Sequence, residues 1–333
     1  MMVVDFCEFH PGNSEEFKAR AAKDNAGYDA IIYPPNENGF TPDVINASLQ
    51  CQHKLKVVAC PNDALSHLSA IADIAKQNDI ALIKAHDIHP RPVAEYTLMQ
   101  LLMHMRDIER LQNITGQKGA FPHQEAVSTT HSIEGKTIGV IGGSGKDGQG
   151  VIRLMKACGL NVVATAKDSQ QDKIAMERAG AKVVSLTELL AQSDFISVNC
   201  RRDHSIGLLG KEQIAQMKKG AIIINPSGAD IIDKTALFEQ LRLPLGKRTI
   251  GKVILDMPYG GQRDEKAFMS DPDNAVLKDL GVVFTPRMAG STIEARQEGN
   301  RQLIDIVSRI LEGTYHASAQ EHINPAEGAA LKK

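Results

Sequence analysis

The residues with the clearest chemical signature are glycines. Thr137–Gly148 reads TIGVIGGSGKDG. A β-branched run leads into Gly143-Ser144-Gly145-Lys146-Asp147-Gly148, a G-x-G-x-x-G, and a helical stretch follows. The next apolar run, Asn161–Ala166, completes a strand–helix–strand unit. Glycines at this spacing permit a tight turn and let a pyrophosphate approach the amide groups at a helix N-terminus. The chemistry they predict is dinucleotide binding. A mononucleotide P-loop fits worse, because Asp147 stands where Ser or Thr should follow Lys146 and the four-residue spacer is missing. Gly142 adds a further glycine before the motif. Asp147 suits the helix dipole but repels phosphate, so it is expected to face solvent.

The ribose end of such a cofactor is read at the end of the second strand. A carboxylate there accepts from a 2′,3′-diol and excludes a 2′-phosphate. Here the strand ends Ala164-Thr165-Ala166-Lys167, with Ala166 at the acid position and Lys167 beside it. Asn199, Cys200, Arg201 and Arg202 follow the fourth strand of this unit, and the two arginines could approach the same pocket. The expected cofactor is therefore NADP(H), with NAD the alternative if Asp168 serves as the acid. Ser227 and Asp256 complete the predicted cofactor contacts.

The elements that must hold these residues follow from pattern. Apolar, nearly continuous runs alternate with helical stretches, as expected of parallel strands covered on both faces. Four of them (Val3–Phe6, Ala30–Tyr33, Lys56–Cys60, Ala81–Lys84) make one α/β unit. Seven more, from Thr137–Ile141 to Val282–Thr285, make another. Arg91–Arg110 is expected as a connecting helix, Gly116–His131 as a loop or arm and Thr292–Leu311 as a returning helix. Ala317–Lys333 reads as a polar tail. Helix-start signals at Ser14 and Thr187 support the alternation. The fold class is α/β with two doubly wound parallel-sheet domains.

Composition excludes several classes. The chain has 333 residues, a length that suggests two domains. Its 38 Lys and Arg nearly balance 40 Asp and Glu, so nothing favours nucleic acid as the partner. No run approaches a membrane span and no signal peptide is evident. Five scattered cysteines argue against a disulfide framework. The expectation is a soluble, cytoplasmic protein acting on a small molecule, with no nucleic-acid or membrane partner.

Several further segments resemble the D-isomer-specific 2-hydroxyacid dehydrogenase family. They are Pro90-Arg91-Pro92-Val93-Ala94-Glu95-Tyr96-Thr97, Glu134–Gly142, Gln192-Ser193-Asp194-Phe195, Met217–Asn225, Leu255-Asp256 and Thr285-Pro286. The resemblance implies a Rossmann nucleotide-binding domain, residues 104–291, inserted into a discontinuous flavodoxin-like substrate domain, residues 1–103 with 292–333. It also implies a cleft between the two and a homodimer formed through the nucleotide domains.

The resemblance fails at the family's catalytic positions. The family's substrate-holding Arg is replaced by Gly228 in Asn225-Pro226-Ser227-Gly228-Ala229. Its Glu is replaced near Gly261, and its His after Thr-Pro by Arg287. The first-domain loop is also altered, to Cys60-Pro61-Asn62-Asp63-Ala64. Guanidinium does not titrate near neutrality but holds a carboxylate bidentately. Arg287 is therefore the candidate anion holder, and the proton must come from elsewhere. Lys84 and His86, in the loop that borders the family's cleft, and Tyr259, expected to face it, are the candidates. His86 and His89 form an H-x-x-H with no third ligand evident, so no metal site is expected.

Two functional classes stay open. One is an NAD(P)-dependent oxidoreductase with an atypical site, acting on a small anionic substrate. The other is a nucleotide-binding protein without redox turnover, a sensor or assembly partner. An ordinary lactate or glycerate dehydrogenase is disfavoured by Gly228, Gly261 and Arg287.

Overall fold

Continuous apolar strands require cover on both faces, and the chain supplies it in two units, Met1–Ile88 with Ile293–Lys333, and His89–Thr292. The computed structural model describes residues 29–32, 42–50, 55–60, 71–85, 88–118, 123–166, 169–259, 268, 271–314 and 322–323. The expected strand Val3–Phe6 lies outside the described residues.

In the first unit, β1 (Ala30–Ile32), α1 (Pro42–Leu49), β2 (Val57–Cys60), α2 (Ala72–Gln77) and β3 (Ala81–Lys84) alternate. The strands run parallel, with Ala30 opposite Val57 and Val57 opposite Ala81. Ile45, Ile71 and Ala75 cover Val58 and Leu82 on one face.

The second unit opens with α3 (Pro90–Met105). Gly150 explains why this helix sits here and not with the first unit. A Cβ on Gly150 would stand 2.5 Å from the Pro90 carbonyl oxygen, so only glycine allows the approach. The expected single helix Arg91–Arg110 is broken at Arg106–Asp107, where Asp107 takes a left-handed φ of 49°. α4 (Ile108–Lys118) and α5 (His123–Thr129) then occupy much of the segment read as a loop. α5 buries no residue, so it left no apolar periodicity to detect.

The sheet of this unit is built from β4 (Thr137–Ile141), β5 (Asn161–Thr165), β6 (Lys182–Val183), β7 (Phe195–Val198), β8 (Ala221–Asn225), β9 (Ile250–Leu255) and β10 (Val283–Phe284). The helices between them are α6 (Lys146–Ala157), α7 (Gln170–Ala179), α8 (Leu186–Gln192), α9 (Lys211–Ala215), α10 (Lys234–Leu241) and α11 (Pro272–Asp279). All strands are parallel in the order β10-β9-β8-β7-β4-β5-β6. The order reverses between β4 and β7, the position where doubly wound sheets open a crevice for ligands. Val151, Ile152 and Met155 of α6 pack with Leu101 of α3 against Ile138, Val140 and Ile224. Leu189, Leu190 and Leu237 pack with Val198, Ile223 and Leu255. Each such side chain contributes about 1.5–3 kcal/mol on burial. Local signals also agree: Ser185 and Glu188 form a capping box at α8, and Gly180 ends α7 in the left-handed region at φ 107°.

The chain then returns to the first unit through α12 (Ile293–Leu311), which lays Leu303, Ile306 and Val307 on Val57, Ala59 and Ile83. β11 (His322–Ile323) adds antiparallel to β3. The region read as a polar tail therefore contributes an edge strand, a two-residue pairing too short to show as a pattern. Among the described residues, no helix is long and apolar enough to cross a membrane.

Candidate active site

The glycine loop occupies the reversal point of the larger sheet. β4 ends at Ile141, and Gly142 takes φ 79°. A Cβ on Gly142 would stand 2.6 Å from the Asn199 carbonyl oxygen that follows β7. The amides of Gly142 and Gly143 both donate to the Thr165 carbonyl at the end of β5, at 2.9 and 3.2 Å. Gly143 lies against Ala164, where a Cβ would approach Ala164 Cβ to 2.8 Å. Gly148 is tighter still, with its virtual Cβ 2.3 Å from the Gly142 carbonyl oxygen. Gly145 is the N-cap of the 12-residue helix α6 and supplies no side-chain cap. The first amides of α6 are thus presented beside a loop in which Ser144 is the only residue between Ile141 and Lys146 with a side chain. Ser144 uses its carbonyl to accept from Gln149 Nε2 at 2.7 Å. Lys146 is exposed, whereas Asp147 is half-buried and not fully in solvent as expected.

Asn199 adds a second sign of a ligand. Its amide nitrogen donates to Ser197 Oγ at 2.8 Å. Its Oδ1 is buried, with no hydrogen-bond partner among the described residues. A buried, unsatisfied carbonyl beside a glycine-rich loop fits a dinucleotide. Cys200 is half-buried, and burial pushes its thiol pKa up, so it rests as the thiol. Ser227 is engaged with the scaffold, its hydroxyl donating to the Val198 carbonyl at 2.9 Å.

Arg201 is exposed. Arg202 differs from the expectation that it approaches the 2′ pocket. Its Nε donates to Asp230 Oδ2 at 2.8 Å, and its Nη2 binds the same oxygen. Asp230 follows β8, on the side of β7 away from β5. The ion pair therefore turns Arg202 away from β5, which Ala166 follows. Its aliphatic stem also fills the space above Gly228, where a Cβ would stand 3.0 Å from Arg202 Cδ. A side chain at 228 would require the Arg202 stem to shift. Asn225 holds this corner from below, accepting from the amides of Ser227 and Gly228 at 3.0 and 3.1 Å.

The turn after β10 is organised by one carboxylate. Asp256, buried at the end of β9, accepts from Thr285 Oγ1 at 2.6 Å and from the Met288 amide at 2.9 Å through Oδ1. Its Oδ2 accepts from the Ala289 amide at 2.8 Å. Its main-chain carbonyl accepts from the Arg287 amide at 2.9 Å. Because the Thr285 hydroxyl proton goes to Asp256, Tyr96 must donate to Thr285 Oγ1, at 2.6 Å. Burial raises the Asp256 pKa, opposed by Thr285, the two amides and Arg287. Burial also holds the Tyr96 phenol far above its ordinary value, reinforced by the Asp256 charge. The result is a fixed turn on which Arg287, exposed, takes a left-handed φ of 54°. A non-glycine residue in that region is strained, and such strain collects at functional sites. Asp256, predicted as a cofactor contact, thus has both carboxylate oxygens committed to this turn.

Tyr259 borders an open pocket together with Ile206, Asp230, Lys234 and Asp271. It is buried, and its hydroxyl donates to the Ile232 carbonyl at 3.1 Å. Burial and the charges of Asp230 and Asp233 push its pKa well above the ordinary phenol value, so the phenol keeps its proton near neutrality. Lys84 ends β3 in the first unit. His86, Lys167 and Gly261 lie outside the described residues. Sequence reasoning missed the Tyr96–Thr285–Asp256 chain. Positions 96 and 285 are 189 residues apart, and no local spacing links them.

Residues 98–289 match the family model for the D-isomer specific 2-hydroxyacid dehydrogenase, NAD binding domain. A D-3-phosphoglycerate dehydrogenase of Archaeoglobus fulgidus is 32% identical over 270 residues, 81% of this chain and 47% of that protein. The chain therefore spans about half the length of such relatives. A D-lactate dehydrogenase of Escherichia coli is 28% identical over 304 residues, 88% of this chain and 87% of its own. In structure, the pyruvate reductase of Chlamydomonas reinhardtii superposes with a TM-score of 0.73 at 24% identity, covering 92% of this chain and 89% of that one. This chain belongs to the D-isomer specific 2-hydroxyacid dehydrogenase family.

Proposed function

We propose that this family member is an oxidoreductase for a small anionic substrate, that it favours NADP(H) over NAD(H), and that Arg287 holds the substrate anion. A bound nicotinamide dinucleotide supplies or accepts the hydride. The observation that carries this reading is the Asp256-held turn. It spends a buried carboxylate and a strained backbone on presenting one guanidinium at the strand ends, where a sheet of this kind receives its ligands. Guanidinium binds carboxylate through two parallel hydrogen bonds. The substrate class is therefore one with a carboxylate or similar anion beside the reacting carbon.

The preference for NADP(H) rests on Ala166 at the acid position and Lys167 beside it. Arg202, committed to Asp230, no longer supports it. Homodimer formation is part of the proposal. It is supported by Met99, Leu102 and Met103, exposed at helical spacing on α3, with Ile108 exposed at the start of α4.

Calorimetric titration with NADPH and NADH, followed by turnover on a panel of small 2-oxo acids, tests the reading. NADPH should bind about tenfold or more tighter, a difference of about 1.4 kcal/mol. Arg287→Ala should raise KM for the anionic substrate with little change in dinucleotide affinity. Preference for NADH would remove the cofactor assignment. Tight dinucleotide binding with no turnover would favour the second reading, a binding protein without redox activity, which the replacements at 228, 261 and 287 also suit.

A further inference from the structure

We infer that His89 is the proton-transfer residue of this site. The inference rests on the oxidoreductase reading above and adds the group that reading lacks.

His89 is the residue before α3, where the chain lies between α6 and the turn after β10. The next residue, Pro90, packs its carbonyl against Gly150 of α6, the helix that starts in the glycine loop. The imidazole itself lies on Gly290, at the end of the turn that carries Arg287. Its Nδ1 is 3.0 Å from the Gly290 carbonyl oxygen. A carbonyl only accepts, so Nδ1 carries the hydrogen. In the neutral ring this leaves the Nε2 lone pair as the basic site, and among the described residues Nε2 has no hydrogen-bond partner. The ring is half-buried. The seat is made for this ring: a Cβ on Gly290 would stand 2.6 Å from His89 Nδ1 and 3.1 Å from Cγ.

The other ionisable groups at these turns are poorly suited. Arg287 does not lose its proton near neutrality. The Asp256 carboxylate already accepts three hydrogen bonds from the turn. The Tyr96 proton is given to Thr285, and the Tyr259 proton to Ile232. His89 alone among them combines a fixed tautomer with an open nitrogen.

In the reductive direction the protonated ring carries hydrogen on both nitrogens. Nδ1–H stays on Gly290. As the substrate carbonyl carbon gains a hydride from the reduced nicotinamide cofactor, the C=O π pair moves to oxygen. That oxygen takes the Nε2 proton, giving the alcohol, a neutral imidazole and the oxidised cofactor. In the oxidative direction the Nε2 lone pair takes the hydroxyl proton as the C–H hydride leaves.

The test uses the full chain. His89→Gln should lower kcat by about 10²–10⁴ and leave NADPH affinity, read by calorimetry, within about twofold of wild type. His89→Gly should regain turnover with added imidazole, which a purely structural role would not show. Ring ¹⁵N shifts, assigned by difference from His89→Gln, should show the Nδ1–H tautomer in the wild type, and Gly290→Ala should abolish it. A His89→Gln variant with wild-type kcat, or a neutral ring carrying hydrogen on Nε2, would overturn the inference and leave the oxidoreductase reading standing. A wild-type chain that binds NADPH but turns over none of the 2-oxo acids would overturn both.

Discussion

The two turns at the strand ends of the larger sheet are built on opposite principles. The loop after β4 is made by the absence of side chains at its glycines. Its glycines pack backbone on backbone, with virtual Cβ contacts of 2.3 Å at Gly148 and 2.6 Å at Gly142. The turn after β10 is made by the presence of one, the Asp256 carboxylate, which gathers three donors from residues 285–289. The first kind of turn tolerates almost no substitution, because any side chain displaces main chain. The second fixes its backbone from below and leaves the outward residue free to vary. Substitution should therefore disturb the loop after β4 far more than the outward position 287.

The largest effect should come from the loop. Gly148→Val would drive side-chain atoms into the Gly142 carbonyl and the Gly143 Cα. Overpacking of this kind costs about 1–3 kcal/mol, and dinucleotide affinity should fall by about 100-fold or more, since phosphate amides move with the helix. Calorimetry and a thermal melt check both. A variant that binds as wild type would show that the phosphates are not held here.

Asp256→Ala should have the next effect, and a different one. It strands the Met288 and Ala289 amides and the Thr285 hydroxyl, and each buried unsatisfied group costs about 1–3 kcal/mol. A loss of about 3–5 kcal/mol in unfolding free energy is expected, with Asp256→Asn milder because one acceptor oxygen survives. Denaturant unfolding reads it. If both variants melt as wild type, the carboxylate does not organise the turn.

Arg287→Gly should be the smallest change in stability and the most telling. Glycine relieves the left-handed strain at φ 54°, worth about 1 kcal/mol, and gives part of that back through greater freedom in the unfolded chain. Stability should be unchanged or raised by up to about 1 kcal/mol, while turnover of the anionic substrate falls. A clear loss of stability with turnover intact would make Arg287 a structural residue and reverse the comparison.

Much of this architecture was legible before any coordinates. The strands Thr137–Ile141, Phe195–Val198, Ala221–Asn225 and Ala81–Lys84 match their apolar runs residue for residue. The returning helix begins one residue after its expected start. What escaped were elements with little buried surface. α5 buries nothing, and β11 contributes only two residues to its sheet. The side-chain assignments were harder. Tyr259 follows Leu255-Asp256 directly, yet it turns inward to Ile232, a choice made by packing against α10 and not by its neighbours in sequence.

The amino-acid sequence by itself determined the class of fold, the position of the dinucleotide loop and the identities of the residues, Gly228 and Arg287 among them, at the motif positions. These depend on runs of apolar residues, on glycine spacing and on residue identity at fixed motif positions, all of them local. Only the tertiary structure decided which groups meet. It placed Arg202 on Asp230, Tyr96 on Thr285 and His89 on Gly290, pairs separated by 28, 189 and 201 residues. A hydrogen bond between residues so far apart depends on the order in which strands assemble, and no local pattern in the chain carries that order.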